Sequence, residues 1–199
     1  DTPEMEALRD HYGIARRRSA LASYEARAAL AATAIKAGVT KVASIEITGG
    51  LDTHFDEWST DQGPRQERGF DLMARLIEDL ERSPYPGGGG LSWLDRTVIV
   101  GFSEFSRTPR LNDRGGRDHS LTNACVLAGA GIRGGQVIGA SSDVGMEPVA
   151  IDLDTGRPDR GGEVPKPEHV IQALFESAGL GGDRAHLRAR PLAALQKPV

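Results

Sequence analysis

The chain has 199 residues, of which 39% are hydrophobic and 26% charged, and this composition is typical of one globular domain with a sizeable core. Its net charge of −4 excludes a broad basic surface, so we expect no nucleic-acid partner. The single cysteine excludes an internal disulfide, and no stretch of the sequence has the length and apolarity of a membrane span.

The first quarter of the chain predicts two helices and then a strand. Thr2-Pro3-Glu4 is typical of a helix start, and Gly13 is a natural end for that helix. Arg17–Ala37 is rich in helix-forming residues and predicts a second helix. The apolar run Lys41–Ile47 predicts a buried strand.

The middle of the chain predicts a helix followed by two strands. Residues 64–82 carry apolar side chains at helical spacing, and Phe70 is one of this inward stripe. Thr97–Phe102 and Thr122–Ala128 are apolar runs typical of buried strands. The second run contains Cys125, which we therefore expect to be a small buried side chain rather than a catalytic thiol.

The C-terminal part predicts one more helix and a tail. The helix runs from Pro167 to about Ala178, whereas residues 180–199 are basic, interrupted by proline and expected to be loosely packed. Helices alternating with short buried strands predict a single α/β domain over residues 1–199, a three-layer α/β/α sandwich around a mostly parallel sheet.

Two charged motifs follow predicted strands, where ligands bind in open α/β sheets. Asp52 and His54 are two residues apart after the first strand, so in an extended chain both side chains point the same way. With His119 as a third ligand, this donor set suits a divalent metal, zinc or manganese. The alternative is structural: Asp52 caps its loop and His54 bonds to the backbone.

The second motif adds a carboxylate and three arginines. Glu104 is a candidate ligand of a second metal or a general base, and the alternative is an ion pair with Arg107 or Arg110. Arg107 suits bidentate binding of a phosphate or sulfate, and Arg110 and Arg117 are weaker candidates for the same role. We expect Asp118 to support a histidine or an arginine without touching its neighbour His119.

The order of these motifs resembles that of the domain-of-unknown-function 1501 family, from about Ala26 to about Gly179. The segments that carry the resemblance are Gly-Leu-Asp-Thr-His, Leu-Asp-Arg-Thr-Val-Ile-Val, Ser-Glu-Phe-Ser-Arg-Thr-Pro-Arg, Gly-Arg-Asp-His and Gly-Ala-Gly-Ile-Arg-Gly-Gly-Gln-Val-Ile-Gly-Ala. The family is grouped with the alkaline phosphatase and sulfatase-like proteins. That grouping implies an α/β/α sandwich with a metal site at the strand ends. It also implies export through a twin-arginine signal, to the periplasm or outside the cell.

By this analogy Asp52, His54 and His119 would bind one metal, and Glu104 would stand where the superfamily places a ligand of a second. The wall of the pocket departs from the family's pattern. We expect Trp where Leu51 and Ser120 stand, and Gly where Ser103 and Ser106 stand. The long segment that usually precedes residues 17–37 is also missing, so the chain resembles the C-terminal portion of an alkaline-phosphatase-like domain. The nucleophile would then lie outside this chain or be a water held by the metal.

The function implied is an exported, metal-dependent hydrolase-like protein acting on small anionic phosphate or sulfate esters. Glu104 and Arg107 would be its catalytic residues, and the missing N-terminal part or another chain would be a further partner. The alternative is an envelope protein of the same fold that binds or scaffolds without turnover. In a third interpretation Glu104, Arg107, Asp118 and His119 form a structural polar network.

Overall fold

Three α-helices of the N-terminal half pack together in the computed structural model, which describes residues 2–180 and 188–197. They are α1 (Pro3–Tyr12), α2 (Tyr24–Lys36) and α3 (Gly63–Arg82). As predicted, Thr2 caps α1 by accepting a backbone N–H of the first turn, and Gly13 ends it with a φ of 72°. Their shared core contains Tyr12, Ala28, Ala32 and Leu72, and the small alanines let α2 approach its neighbours closely.

The helix predicted over 17–37 is divided in two. A 3-10 helix spans Arg18–Ala22, and α2 begins only after Ser23. Ser23 has an extended backbone, and its hydroxyl accepts the N–H of Ala26 at 3.2 Å. This N-cap starts a new helix, because a capping residue cannot itself be helical.

The strand predicted over 41–47 does not form. Ile45 and Ile47 pack against the helical core, as the alternation of side chains requires, but Val42 is 82% exposed. A strand needs a hydrogen-bonded neighbour, and this segment pairs with no other strand of the described chain. It therefore packs on the helical core through Ile45 and Ile47 without belonging to a sheet.

The predicted three-layer sandwich with a mostly parallel sheet is wrong. Two antiparallel two-stranded sheets are present in residues 2–180 and 188–197. The strands are β1 (Val98–Phe102), β2 (Ser106–Arg107), β3 (His119–Ser120) and β4 (Cys125–Gly129), with β1 pairing β4 and β2 pairing β3. Parallel pairing needs a long crossover, usually a helix. Here the chain between β1 and β4 forms the β2–β3 hairpin and turns back, so β4 runs antiparallel to β1.

A second core lies at the C-terminal end of the chain. It is formed around α4 (Pro167–Ser177), and its members are Ile151, Leu153, Ala173, Leu192, Ala194 and Leu195. In the tail for which we expect loose packing, Leu192 and Leu195 are only 3% and 6% exposed. Residues 181–187 of that tail, His186 among them, lie outside the described residues.

Two side chains expected in the core are exposed instead. Phe70 is 53% exposed on α3, and Cys125 is exposed at the start of β4. Both line a cavity between α3 and β1, which leaves these positions open to solvent. Short helical turns span Trp58–Gln62 and Leu94–Arg96, and Trp58 and Gln62 also line this cavity. None of the described helices is long and apolar enough to cross a membrane.

Candidate metal and anion site

The segment 51–54 presents Asp52 and His54 on one side and Thr53 on the other. Thr53 is fully buried, and its hydroxyl donates to Oε1 of Gln62 at 2.8 Å. This buried bond anchors the segment at Thr53, and in an extended chain the side chains on either side of such a residue point together to the opposite side. Oδ1 of Asp52 and Nε2 of His54 are accordingly 3.0 Å apart.

The β2–β3 hairpin brings two further side chains to the same place. Arg107 and His119 are directly opposite each other in its register, so their side chains lie on the same face. The ring of His119 stacks on Phe105 with 3.9 Å between centroids. The backbone N–H of Arg117 donates to the carbonyl of Thr53 at 3.2 Å, which ties the hairpin to the segment 51–54.

Asp52, His54 and His119 form a group that could hold a metal ion, because one ligand atom of each lies within 4.8 Å of the others. Nε2 of His54 is 3.0 Å from Nε2 of His119, and Oδ1 of Asp52 is 3.7 Å from the same His119 nitrogen. Two ligands of a tetrahedral zinc ion with bonds of about 2.0–2.1 Å lie about 3.3 Å apart. The spacing and the oxygen and imidazole donors therefore fit zinc or manganese.

Arg107 contacts two members of this group. Its guanidinium donates to Oδ1 of Asp52 at 2.9 Å and to Nε2 of His54 at 3.1 Å. The Arg107 side chain is 11% exposed, whereas that of Asp52 is 77% exposed. The hydrogen bond from Arg107 lowers the pKa of Asp52, so this carboxylate is held in the charged form that a metal ligand requires.

The other ring nitrogen of His54 is held by Asp118. Nδ1 of His54 lies 3.0 Å from Oδ1 of Asp118, and this contact is the main cause that lowers the pKa of Asp118. An ionised carboxylate only accepts, and a guanidinium only donates. With Asp118 at Nδ1 and Arg107 at Nε2, we infer that the proton of His54 is on Nδ1. The lone pair of Nε2 then faces Asp52 and His119.

Asn112 completes this support with all four of its hydrogen-bonding positions. Its amide nitrogen donates to the carbonyl of His54 and to Asp118, each at 3.0 Å. Its amide oxygen accepts the N–H groups of Arg114 and Gly116 at 3.0 and 3.1 Å. Sequence reasoning missed Asn112, although an Asn followed by Gly115-Gly116 is a turn signal that places the amide beside its own backbone.

Two of the three ligand candidates, Asp52 and His119, line a cavity of about 1060 Å³ between the segment 44–52, α3 and β1. Glu104 lines this cavity and is exposed, but among the described residues it is not one of the metal-binding group. The ion pair formed by Arg107 is with Asp52, not with Glu104.

The other two predicted arginines lie differently. Arg117 also lines the cavity, but its guanidinium donates to the carbonyls of Thr108 and Pro109 and lies 4.7 Å over the ring of Trp58. Arg110 is exposed and outside the lining of this cavity in the described chain. Of the three arginines, the structure therefore places Arg107 beside the metal-ligand candidates.

Comparison with known proteins gives a family and no characterised relative. No curated protein and no solved structure matches the chain significantly. The model of one family, described as "Protein of unknown function (DUF1501)", matches residues 2–154, a range that includes Asp52, His54, Arg107, Asp118 and His119. The chain therefore belongs to the DUF1501 family of proteins of unknown function.

Proposed function

We propose that this protein is a metal-dependent hydrolase of small phosphate or sulfate esters. The observation that carries the proposal is the meeting of Asp52, His54 and His119 with the guanidinium of Arg107. Asp52, His119 and Arg107 line one open cavity. A carboxylate and two imidazoles suit a divalent metal, and a guanidinium suits an oxyanion. The grouping of the DUF1501 family with the phosphatase and sulfatase-like proteins, which the family resemblance implies, supports the same substrates. Export to the periplasm or cell exterior is part of the proposal.

Asp52, His54 and His119 would hold the ion, which when bound supplies Lewis-acid polarisation of the ester oxygen. Arg107 binds and orients the anionic group through its fork of N–H donors. Asp118 keeps the Nε2 lone pair of His54 directed at the ion. In the hydrolysis, water adds to phosphorus or sulfur and the bond to the ester oxygen breaks. Glu104, which lines the same cavity, would act as the general base and accept a proton from the attacking water.

The purified protein tests this proposal by its metal content and by its turnover of aryl phosphate and aryl sulfate esters with added zinc or manganese. Asp52→Asn removes a ligand charge, and Asp56→Asn is the matched control, because Asp56 is exposed nearby and outside the metal-binding group. Stoichiometric metal and ester hydrolysis, both lost in Asp52→Asn and kept in Asp56→Asn, are the expected results.

One observation favours a second function, that of a binding or scaffold protein. Arg107 already donates hydrogen bonds to Asp52 and His54, so these side chains form a polar network that does not require a metal. Metal binding without turnover of any ester would favour that function. An absence of metal in the wild-type protein would reduce the cluster to a structural role.

A further inference from the structure

We propose that Arg107 and the metal compete for one lone pair, so that metal binding releases an N–H group for the anion. This inference rests on the proposed function, because it concerns the order in which the metal and the anionic group enter that site. Its basis is the set of hydrogen bonds made by one guanidinium.

The two terminal nitrogens of Arg107 use all four of their N–H groups. Nη2 donates to the carbonyl of Leu51 at 2.8 Å and to Asp52 at 2.9 Å. Nη1 donates to the carbonyl of Arg117 at 3.1 Å and to Nε2 of His54 at 3.1 Å. In this state no terminal N–H of Arg107 is available to an incoming oxyanion.

The bond to His54 is the one that a metal must break. A neutral imidazole nitrogen has a single lone pair, and Asp118 already binds the protonated Nδ1. The lone pair of Nε2 faces Nη1 of Arg107 at 3.1 Å and Nε2 of His119 at 3.0 Å, and of these two the guanidinium can only donate. A metal coordinated by Nε2 therefore displaces the N–H of Arg107. Asp52 differs, because a carboxylate has about four acceptor positions and can serve Arg107 and an ion together.

The guanidinium stays in place when that bond is broken. The carbonyls of Leu51 and Arg117 and the carboxylate of Asp52 still hold it on two sides. The N–H of Nη1 released in this way would be free to donate to an oxyanion beside Asp52, His54 and His119, the residues that would hold the ion. The anion would gain this donor only when the metal is bound, so the metal and the anion should bind with positive coupling, each raising the affinity for the other.

The experiment is calorimetric titration of the purified protein with zinc chloride, in sodium sulfate or in sodium chloride of equal ionic strength. Matching ionic strength removes the general screening effect of salt. We expect the affinity of the wild type for zinc to be at least about fivefold higher in sulfate, since couplings of this kind start near that factor. Without metal, sulfate should not bind measurably.

Arg107→Gln tests the competition itself. Without sulfate this variant should bind zinc more tightly than the wild type, because the competing donor and a repelling charge are gone, and the enhancement by sulfate should be lost. Arg110→Gln is the matched control: it removes the same charge from an exposed residue three positions away and should behave as the wild type.

Three outcomes overturn the inference. If the wild type binds zinc equally in sulfate and chloride, the coupling is absent, and this result needs no variant to fold. If folded Arg107→Gln keeps the full enhancement by sulfate, the anion does not use the released N–H. Both results leave the proposed hydrolase intact. Failure of the wild type to bind zinc, and manganese when manganese chloride is titrated in the same way, overturns the proposed metal site as well.

Discussion

Gly116 lies directly against the backbone of His54, so closely that a Cβ atom at position 116 would overlap the carbonyl of His54 and the nitrogen of Phe55. The neighbouring Gly115, with a φ of 81°, pairs with Phe55 in an isolated β-bridge. This contact joins the loop that carries Asp118 to the segment that carries Asp52 and His54. The position of His54 therefore depends on the absence of a side chain at residue 116.

Gly116→Ala should displace His54 and weaken both the site and the fold. The obstacle is backbone, which cannot swing aside as a flexible side chain can, so we expect a loss of about 1–3 kcal/mol in the free energy of unfolding. Zinc affinity should fall in the same variant. Urea denaturation and zinc titration measure the two effects. Gly134→Ala is the control, because a Cβ there meets nothing within 4 Å. Equal stability of the two variants would contradict the close contact.

Asp118→Asn should lower metal affinity without removing a ligand. Asn has no negative charge with which to accept the hydrogen bond from Nδ1 of His54, so the imidazole becomes a weaker and less oriented metal ligand. We expect about 10–100-fold weaker zinc binding, as is usual for such supporting residues. Asp113→Asn, which makes the same charge change on an exposed residue of the same loop, should leave the affinity unchanged. An Asp118→Asn variant with wild-type affinity would mean that Asp118 does not orient His54.

Acid should destabilise the protein through Asp52 and Asp118. Both have folded-state pKa values below their usual range, the first chiefly through Arg107 and the second chiefly through His54. Lowered pKa values mean that the unfolded chain takes up protons first, at about pH 4. The stabilisation is therefore complete above that pH and is lost as the pH falls through the folded-state pKa values.

Thermal denaturation between about pH 5 and pH 2 measures this loss. The melting temperature of Asp52→Asn and of Asp118→Asn should fall less steeply with acid than that of the wild type, because neither variant has that carboxylate to protonate. Asp56→Asn should retain the wild-type slope. Parallel slopes for all four proteins would show that the two carboxylates do not contribute.

Leu195→Ala should destabilise the C-terminal core. Leu195 is 6% exposed and packs with Ile151, Leu153 and Leu192, so its removal leaves a cavity. The expected loss is about 2–5 kcal/mol in the free energy of unfolding, measured by urea denaturation. Leu121→Ala, at a fully exposed leucine, should change stability by less than about 0.5 kcal/mol. A small effect at Leu195 would favour the loosely packed tail that the sequence suggests.

The site shows how far local sequence reasoning reaches. That Asp52 and His54 point the same way follows from the two-residue repeat of an extended chain, and the structure confirms it at 3.0 Å. The sequence also predicted that Asp118 supports a histidine or an arginine without touching its neighbour His119, but it could not show that the partner is His54. That pairing joins residues 64 positions apart and depends on the loop held by Asn112.

By itself the sequence determined α1 with both of its ends and the presence of α3, because the caps Thr2 and Gly13 and the apolar stripe of α3 act within a few residues. It did not show that α2 begins only after Ser23. Only the tertiary structure decided which segments pair as strands. Lys41–Ile47 has the pattern of a strand but no partner, and β1 and β4 pair antiparallel because a hairpin joins them. Strand pairing is a property of two distant segments, so neither segment's own sequence specifies it.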